Sequence, residues 1–65
     1  MFQKQDATIK LLKATEIADI LNISRAFAYR LMNQGEIPTV QIGSARRVRP
    51  VDLQKYIEKN IQHSA

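Results

Sequence analysis

Three residues, Asn22-Ile23-Ser24, separate two runs whose apolar residues recur at helical spacing. Upstream, Leu12, Ile17, Ile20 and Leu21 approximate one apolar stripe, with Ala14 and Ala18 as small companions and Glu16 and Asp19 on the opposite face. Downstream, Ala28, Leu31 and Met32 form a second inward stripe. Asn tolerates the left-handed conformation that a tight turn between helices needs. Ile23 can tuck into the angle between the two helices, and Ser24 is a good N-cap for the second. Gly35 then stands where a helix C-terminus wants a glycine. The start of the first helix is less well marked. Lys13 occupies the place suited to a Ser or Thr cap, and Thr15 is the only nearby alternative.

Helix, three-residue turn, helix is the spacing of a helix-turn-helix. After Glu36-Ile37-Pro38 the period changes. Val40 and Ile42 alternate with Thr39 and Gln41 as in a short half-buried strand. Gly43-Ser44-Ala45 reads as a turn, and Arg46-Arg47-Val48-Arg49 as a return strand with Val48 inward and Arg47 and Arg49 outward. Pro50 suits the first position of a last helix, with Asp52 in its first turn and Leu53, Tyr56, Ile57 and Ile61 as its stripe. The expected fold is mainly α with a small two-stranded β-hairpin wing, a winged helix-turn-helix. It divides into a flexible N-terminal arm over 1–10, the winged domain over 11–60 and a C-terminal tail over 61–65.

Much is excluded by composition. A chain of 65 residues is one domain at most and buries only about 60% of its unfolded surface. It has no cysteine, and its single histidine, His63, belongs to the tail. Neither a disulfide framework nor a histidine-based metal site is expected. There is no paired carboxylate on an apolar face, no Ser/His pair in a compact unit and no phosphate-cradling Gly-rich loop. No catalytic residue, metal or cofactor is therefore expected. No apolar run is long enough to span a bilayer, and the reading is a cytoplasmic protein without a membrane partner.

The charge has a location. Five arginines against Glu36 leave +4 over residues 25–49, while five lysines balance five carboxylates in the remainder. Arginine presents a rigid fork suited to phosphates and guanine edges. In a helix-turn-helix the second helix lies in the DNA major groove and its N-terminal residues reach base edges. Ser24, Arg25, Ala26, Tyr29 and Arg30 are the candidates there. Arg25 can donate twice to guanine, and small Ala26 permits close approach or a thymine-methyl contact. Tyr29 and Arg30 reach phosphates or bases one turn on. Ser24 serves as a cap whether or not it also meets a phosphate. On the wing the candidates are Ser44, Arg46, Arg47 and Arg49. Arg46 and Arg47 could follow the backbone or enter the adjacent minor groove. Arg49 is the one that could instead pair with Asp52. Double-stranded DNA is the expected partner. RNA lacks support, since neither an RNP-like aromatic strand nor a GXXG loop occurs.

From Leu11 to about Ile57 the chain resembles the excisionase-type winged helix-turn-helix domains, relatives of the MerR DNA-binding domain. The resemblance is carried by Leu11-Leu12, Glu16-Ile17-Ala18, Ile23-Ser24-Arg25, Tyr29-Arg30-Leu31, Gly35-Glu36-Ile37-Pro38, Ile42-Gly43, Arg47-Val48-Arg49-Pro50 and Asp52-Leu53. It implies a protein without chemistry of its own that serves a phage or integrative element. Such proteins bind direct repeats in an attachment site, with neighbouring copies side by side, and bend the DNA. They thereby turn a tyrosine-type integrase toward excision, and their tails can contact it. The same domain occurs in small transcription regulators. A third possibility is a protein-interaction module, such as an antirepressor, whose arginine face meets an acidic partner. Family members often carry Thr or Ser where Lys13 stands, and Ser or Thr where Ala26 and Phe27 stand. Phe27 is bulky and is expected to pack against the wing or the first helix rather than touch a base.

Overall fold

The computed structural model describes residues 10–63. It contains α1 (Ala14–Leu21), α2 (Arg25–Asn33), β1 (Val40–Ile42), β2 (Ala45–Arg47) and α3 (Pro50–Lys59), in that order. The mainly α architecture with one antiparallel hairpin is the expected winged helix-turn-helix. Of the 1–10 arm, only Lys10 lies within the described residues.

α1 begins at Ala14 although Lys13, its N-cap, has no side-chain acceptor to offer. The Glu16 carboxylate compensates by accepting the Lys13 backbone N–H at 2.8 Å and the Lys10 ammonium at 3.0 Å. The Lys13 N–H bond, followed by the nearby ammonium, holds the Glu16 carboxyl below its ordinary range. The helix buries Ala14, Ile17 and Ala18, with Leu21 half-buried one turn on. This is the i, i+3, i+4, i+7 stripe. Ile20 falls off it and is 54% exposed. Leu12 is not part of the helix. It precedes α1 and pairs with Val48, each N–H donating to the other's carbonyl at 2.8 and 2.9 Å.

Asn22 ends α1 in the left-handed region (φ 59°, ψ 48°), and the Ile23 N–H returns to the Ala18 carbonyl. The chain has turned by Ser24, whose hydroxyl accepts the Phe27 N–H at 3.1 Å and caps α2. α2 buries Ala28, Leu31 and Met32. Its end is a Schellman closure. Gly35 takes φ +77°, its N–H donates to the Met32 carbonyl, and the Glu36 N–H donates to Leu31. This turn carries Ile37 into the core, where it is fully buried with Ile17 and Val48.

The hairpin pairs Val40 with Arg47, Gln41 with Arg46 and Ile42 with Ala45. Gly43, at φ +60°, and Ser44 form the turn, so Ala45 belongs to the strand. Val40 is half-buried as expected, but Ile42 is 54% exposed. At the tip Gln41 is exposed as well, so the strand has no covered face there. Val48 leaves β2 and is held instead by Leu12.

α3 starts with Pro50 at its first position. Arg49, its N-cap, binds Asp52 through two bonds, Nε to Oδ2 at 2.6 Å and Nη2 to Oδ1 at 2.9 Å. Leu53 is buried, and Tyr56 and Ile57 pack against the core. The helix ends at Lys59, so Ile61 lies beyond it and is exposed. The 61–63 part of the tail is irregular and exposed; its last two residues lie outside the described ones.

Replacing Ile17, which has no exposed surface, by Ala is expected to cost about 2–5 kcal/mol. In a domain this small that is much of the total stability, and urea unfolding monitored by circular dichroism measures it. The Arg49 guanidinium holds the Asp52 carboxyl below its usual value. A depressed folded-state pKa gives stability that is present above the ordinary carboxylate range and is lost as pH falls through the folded value. The thermal midpoint of the wild type should therefore exceed that of Asp52→Asn at neutral pH, and the gap should close in acid.

Candidate nucleic-acid interface

With Ala28, Leu31 and Met32 facing the core, Arg25, Ala26, Tyr29, Arg30 and Asn33 lie along one adjoining side of α2. All five are exposed, Tyr29 at 52%. The four helix candidates from the sequence thus share one face, and Ser24 caps its N-terminal end. Neither α2 nor either strand contains a carboxylate.

Arg30 is not a free charge on this face. Its guanidinium carbon lies 5.3 Å from the centroid of the Phe27 ring. At an exposed site such a cation–π contact is worth about 0.5–1 kcal/mol. Phe27, expected to pack against the wing or the first helix, is instead 39% exposed, and its ring is met by an arginine one turn away on the same helix. It restrains how Arg30 is presented.

The wing arginines divide three ways. Arg46 reaches back to α2: its Nη1 donates to Asn33 Oδ1 at 2.9 Å and its Nε to Gln41 Oε1 at 3.2 Å. Gln41 in turn donates from Nε2 to the Gly43 carbonyl at 2.8 Å. The hairpin turn, β1, β2 and the last residue of α2 are therefore joined by one chain of hydrogen bonds. Arg47 is half-buried and folds over its own strand, donating from Nη1 to the Arg46 carbonyl at 2.9 Å. Arg49 stands outside β2, at the start of α3, in its bidentate pair with Asp52. That pair raises the arginine's affinity for its proton, so the charge is permanent. Ser44 is exposed in the turn.

Three participants escaped the sequence-based site: Phe27, Asn33 and Gln41. Phe27 and Arg30 are three residues apart, a spacing at which helix side chains meet, so that contact was open to inspection. Asn33 and Arg46 are thirteen residues apart and meet only because the hairpin folds back on α2.

The helix-turn-helix domain model matches residues 11–61, which is most of the chain. The chain belongs to this helix-turn-helix domain family. Its relatives include two Mycobacterium tuberculosis proteins, from different strains, named "Putative DNA-binding protein MT0521" and "Putative DNA-binding protein Rv0500A". Each is 33% identical over 54 residues, covering 83% of this chain and 69% of the relative. No solved structure gives a significant match. Among the described residues no helix is long and apolar enough to cross a membrane.

Proposed function

We propose that this protein binds double-stranded DNA sequence-specifically and acts as an excisionase. Copies of it occupy repeats in an attachment site, bend the DNA and direct a tyrosine-type integrase toward excision of a mobile element. The observation that carries the DNA part is the shared face. Arg25, Ala26, Tyr29 and Arg30 project from one side of α2, next to a wing whose Arg46 is bonded to that helix, with no carboxylate on any of the three elements. The names of the mycobacterial relatives point to the same class of ligand. The recombination role rests on the resemblance to excisionases.

In this reading α2 enters the major groove, Arg25 and Ala26 reach base edges, and Tyr29 and Arg30 serve the next turn. Ser24 at the helix start and the wing residues Ser44, Arg46 and Arg47 hold the backbone. Arg49, committed to Asp52, contributes its charge and its remaining donors. A single module of this kind buries roughly 600–1,000 Å², so affinity is modest and gains from neighbouring copies along the DNA.

The test is recovery of host DNA fragments on the purified protein, followed by footprinting. Tandem repeats beside an integrase attachment site are expected. A protected promoter without repeats would move the protein to the transcription regulators. No enrichment over random DNA would contradict the DNA-binding function and favour an acidic protein partner.

Neutralising three to five phosphates should give a log–log salt slope of roughly −3 to −5 per bound chain, since log K falls by about 0.9 per phosphate for each tenfold rise in salt. A slope near zero in a fluorescence-anisotropy series contradicts this. Arg25→Ala should cost about 1–3 kcal/mol and relax one base position in a selection from randomised duplexes; uniform weakening would assign it to the phosphate backbone.

A further inference from the structure

A cleft of about 340 Å³ opens between the first turn of α1, the outer side of α2 and the return strand of the wing. Lys13, Arg46 and Arg47 line it with positive charge, and Thr15, Tyr29 and Ser44 line it with hydroxyls. No described carboxylate lines it. The nearest acid on that turn of α1, Glu16, is already bonded to Lys10 and to the Lys13 N–H. We infer that this cleft seats one backbone phosphate of duplex DNA, with Lys13 and Thr15 as contacts and with Asn33 and Gln41 as the positioning residues that hold Arg46 toward it. The inference rests on the reading of α2 as the groove-entering helix.

Three observations support it. The first is the donor chemistry: cations and hydroxyls converge from three separate elements, which is the set that an anionic oxygen group requires. The second is preorganisation. A guanidinium has five N–H donors, and Arg46 uses two of them on Asn33 and Gln41. The rest remain for a ligand on a side chain whose rotamer is already fixed, which lowers the ordering cost of binding. The third is position. A helix with its side chains is about 10–12 Å across, close to the roughly 12 Å width of the major groove. An element beside such a helix meets the sugar-phosphate backbone and not the base edges. The cleft lies directly beside α2, and its volume is large against the roughly 30 Å³ share of one water, leaving room for a phosphodiester and its hydration.

The two roles are separable by salt dependence. Lys13 supplies a charge that displaces a counterion, whereas Asn33 supplies only a hydrogen bond to another side chain. The experiment measures fluorescence anisotropy of a labelled mixed-sequence DNA duplex against the full chain over a salt series, for the wild type, Lys13→Gln, Asn33→Ala and Lys59→Gln. Circular dichroism melts establish that each variant folds. Lys13→Gln is expected to weaken binding and make the slope less negative by about 0.9. Asn33→Ala is expected to weaken binding roughly three- to tenfold with the slope unchanged. Lys59→Gln, at the far end of α3, should match the wild type. If Lys13→Gln and Asn33→Ala both behave like Lys59→Gln while the wild type binds, the cleft is not a phosphate seat, although the DNA reading stands. An Asn33→Ala chain with wild-type affinity removes the positioning role. A wild-type chain with no affinity for the duplex overturns both.

Discussion

The corner between α1 and α2 is the constraint on which the rest of the molecule depends. Ala14, Ile17 and Ala18 of α1 and Ala28 of α2 are all buried in one core cluster. Small side chains allow helices to pack closely, and Ile17 beside them has no exposed surface. The corner closes in three residues only because Asn22 accepts a left-handed backbone and Ser24 satisfies a free N–H of the next helix. Once Ala28, Leu31 and Met32 are turned inward, the orientation of every other α2 side chain follows from helical geometry. The outward basic face is thus a consequence of how the inner face packs.

The wing is fastened to this corner at three points of different kinds. Leu12 and Val48 exchange backbone hydrogen bonds, which anchors the root of β2 beside the start of α1. Ile37 and Val48 contribute fully buried side chains to the core. Farther out, where Ile42 and Gln41 are exposed, the Asn33–Arg46–Gln41 hydrogen bonds join the hairpin to α2. Apolar contact secures the root and polar contact secures the outer part. That division follows from size: a core of so few side chains cannot extend under the hairpin tip.

The two helices of the corner, the hairpin and the last helix were legible in the sequence because each carries local punctuation: Asn22 and Ser24, Gly35, Gly43 and Pro50. The exposed candidates on α2 were legible too, since they follow from the placement of Ala28, Leu31 and Met32. Several aliphatic residues judged by type were misplaced, as were Arg47, half-buried where it was expected outward, and Arg49, which stands beyond β2. Ile20 lies off the i, i+3, i+4, i+7 stripe that Ala14, Ile17, Ala18 and Leu21 define, and strict spacing would have excluded it. Ile42 and Ile61 fall where the hairpin and the helix run out of cover. The Leu12–Val48 pairing and the Asn33–Arg46 bond join residues far apart in sequence, so no local pattern announces them. Arg49 was readable as a partner of Asp52 because the two are three residues apart across a helix start.

On the proposed function, α2 and the wing form one duplex-binding face. The most direct measurement is the change in backbone amide NMR signals of the ¹⁵N-labelled chain on addition of a mixed-sequence DNA duplex. The perturbed amides are expected to cluster from Ser24 to Arg30 and from Gly43 to Arg47, with the C-terminal half of α3 unaffected. Perturbations confined to α3, or none at duplex concentrations that saturate ordinary non-specific binding, would contradict the proposed function.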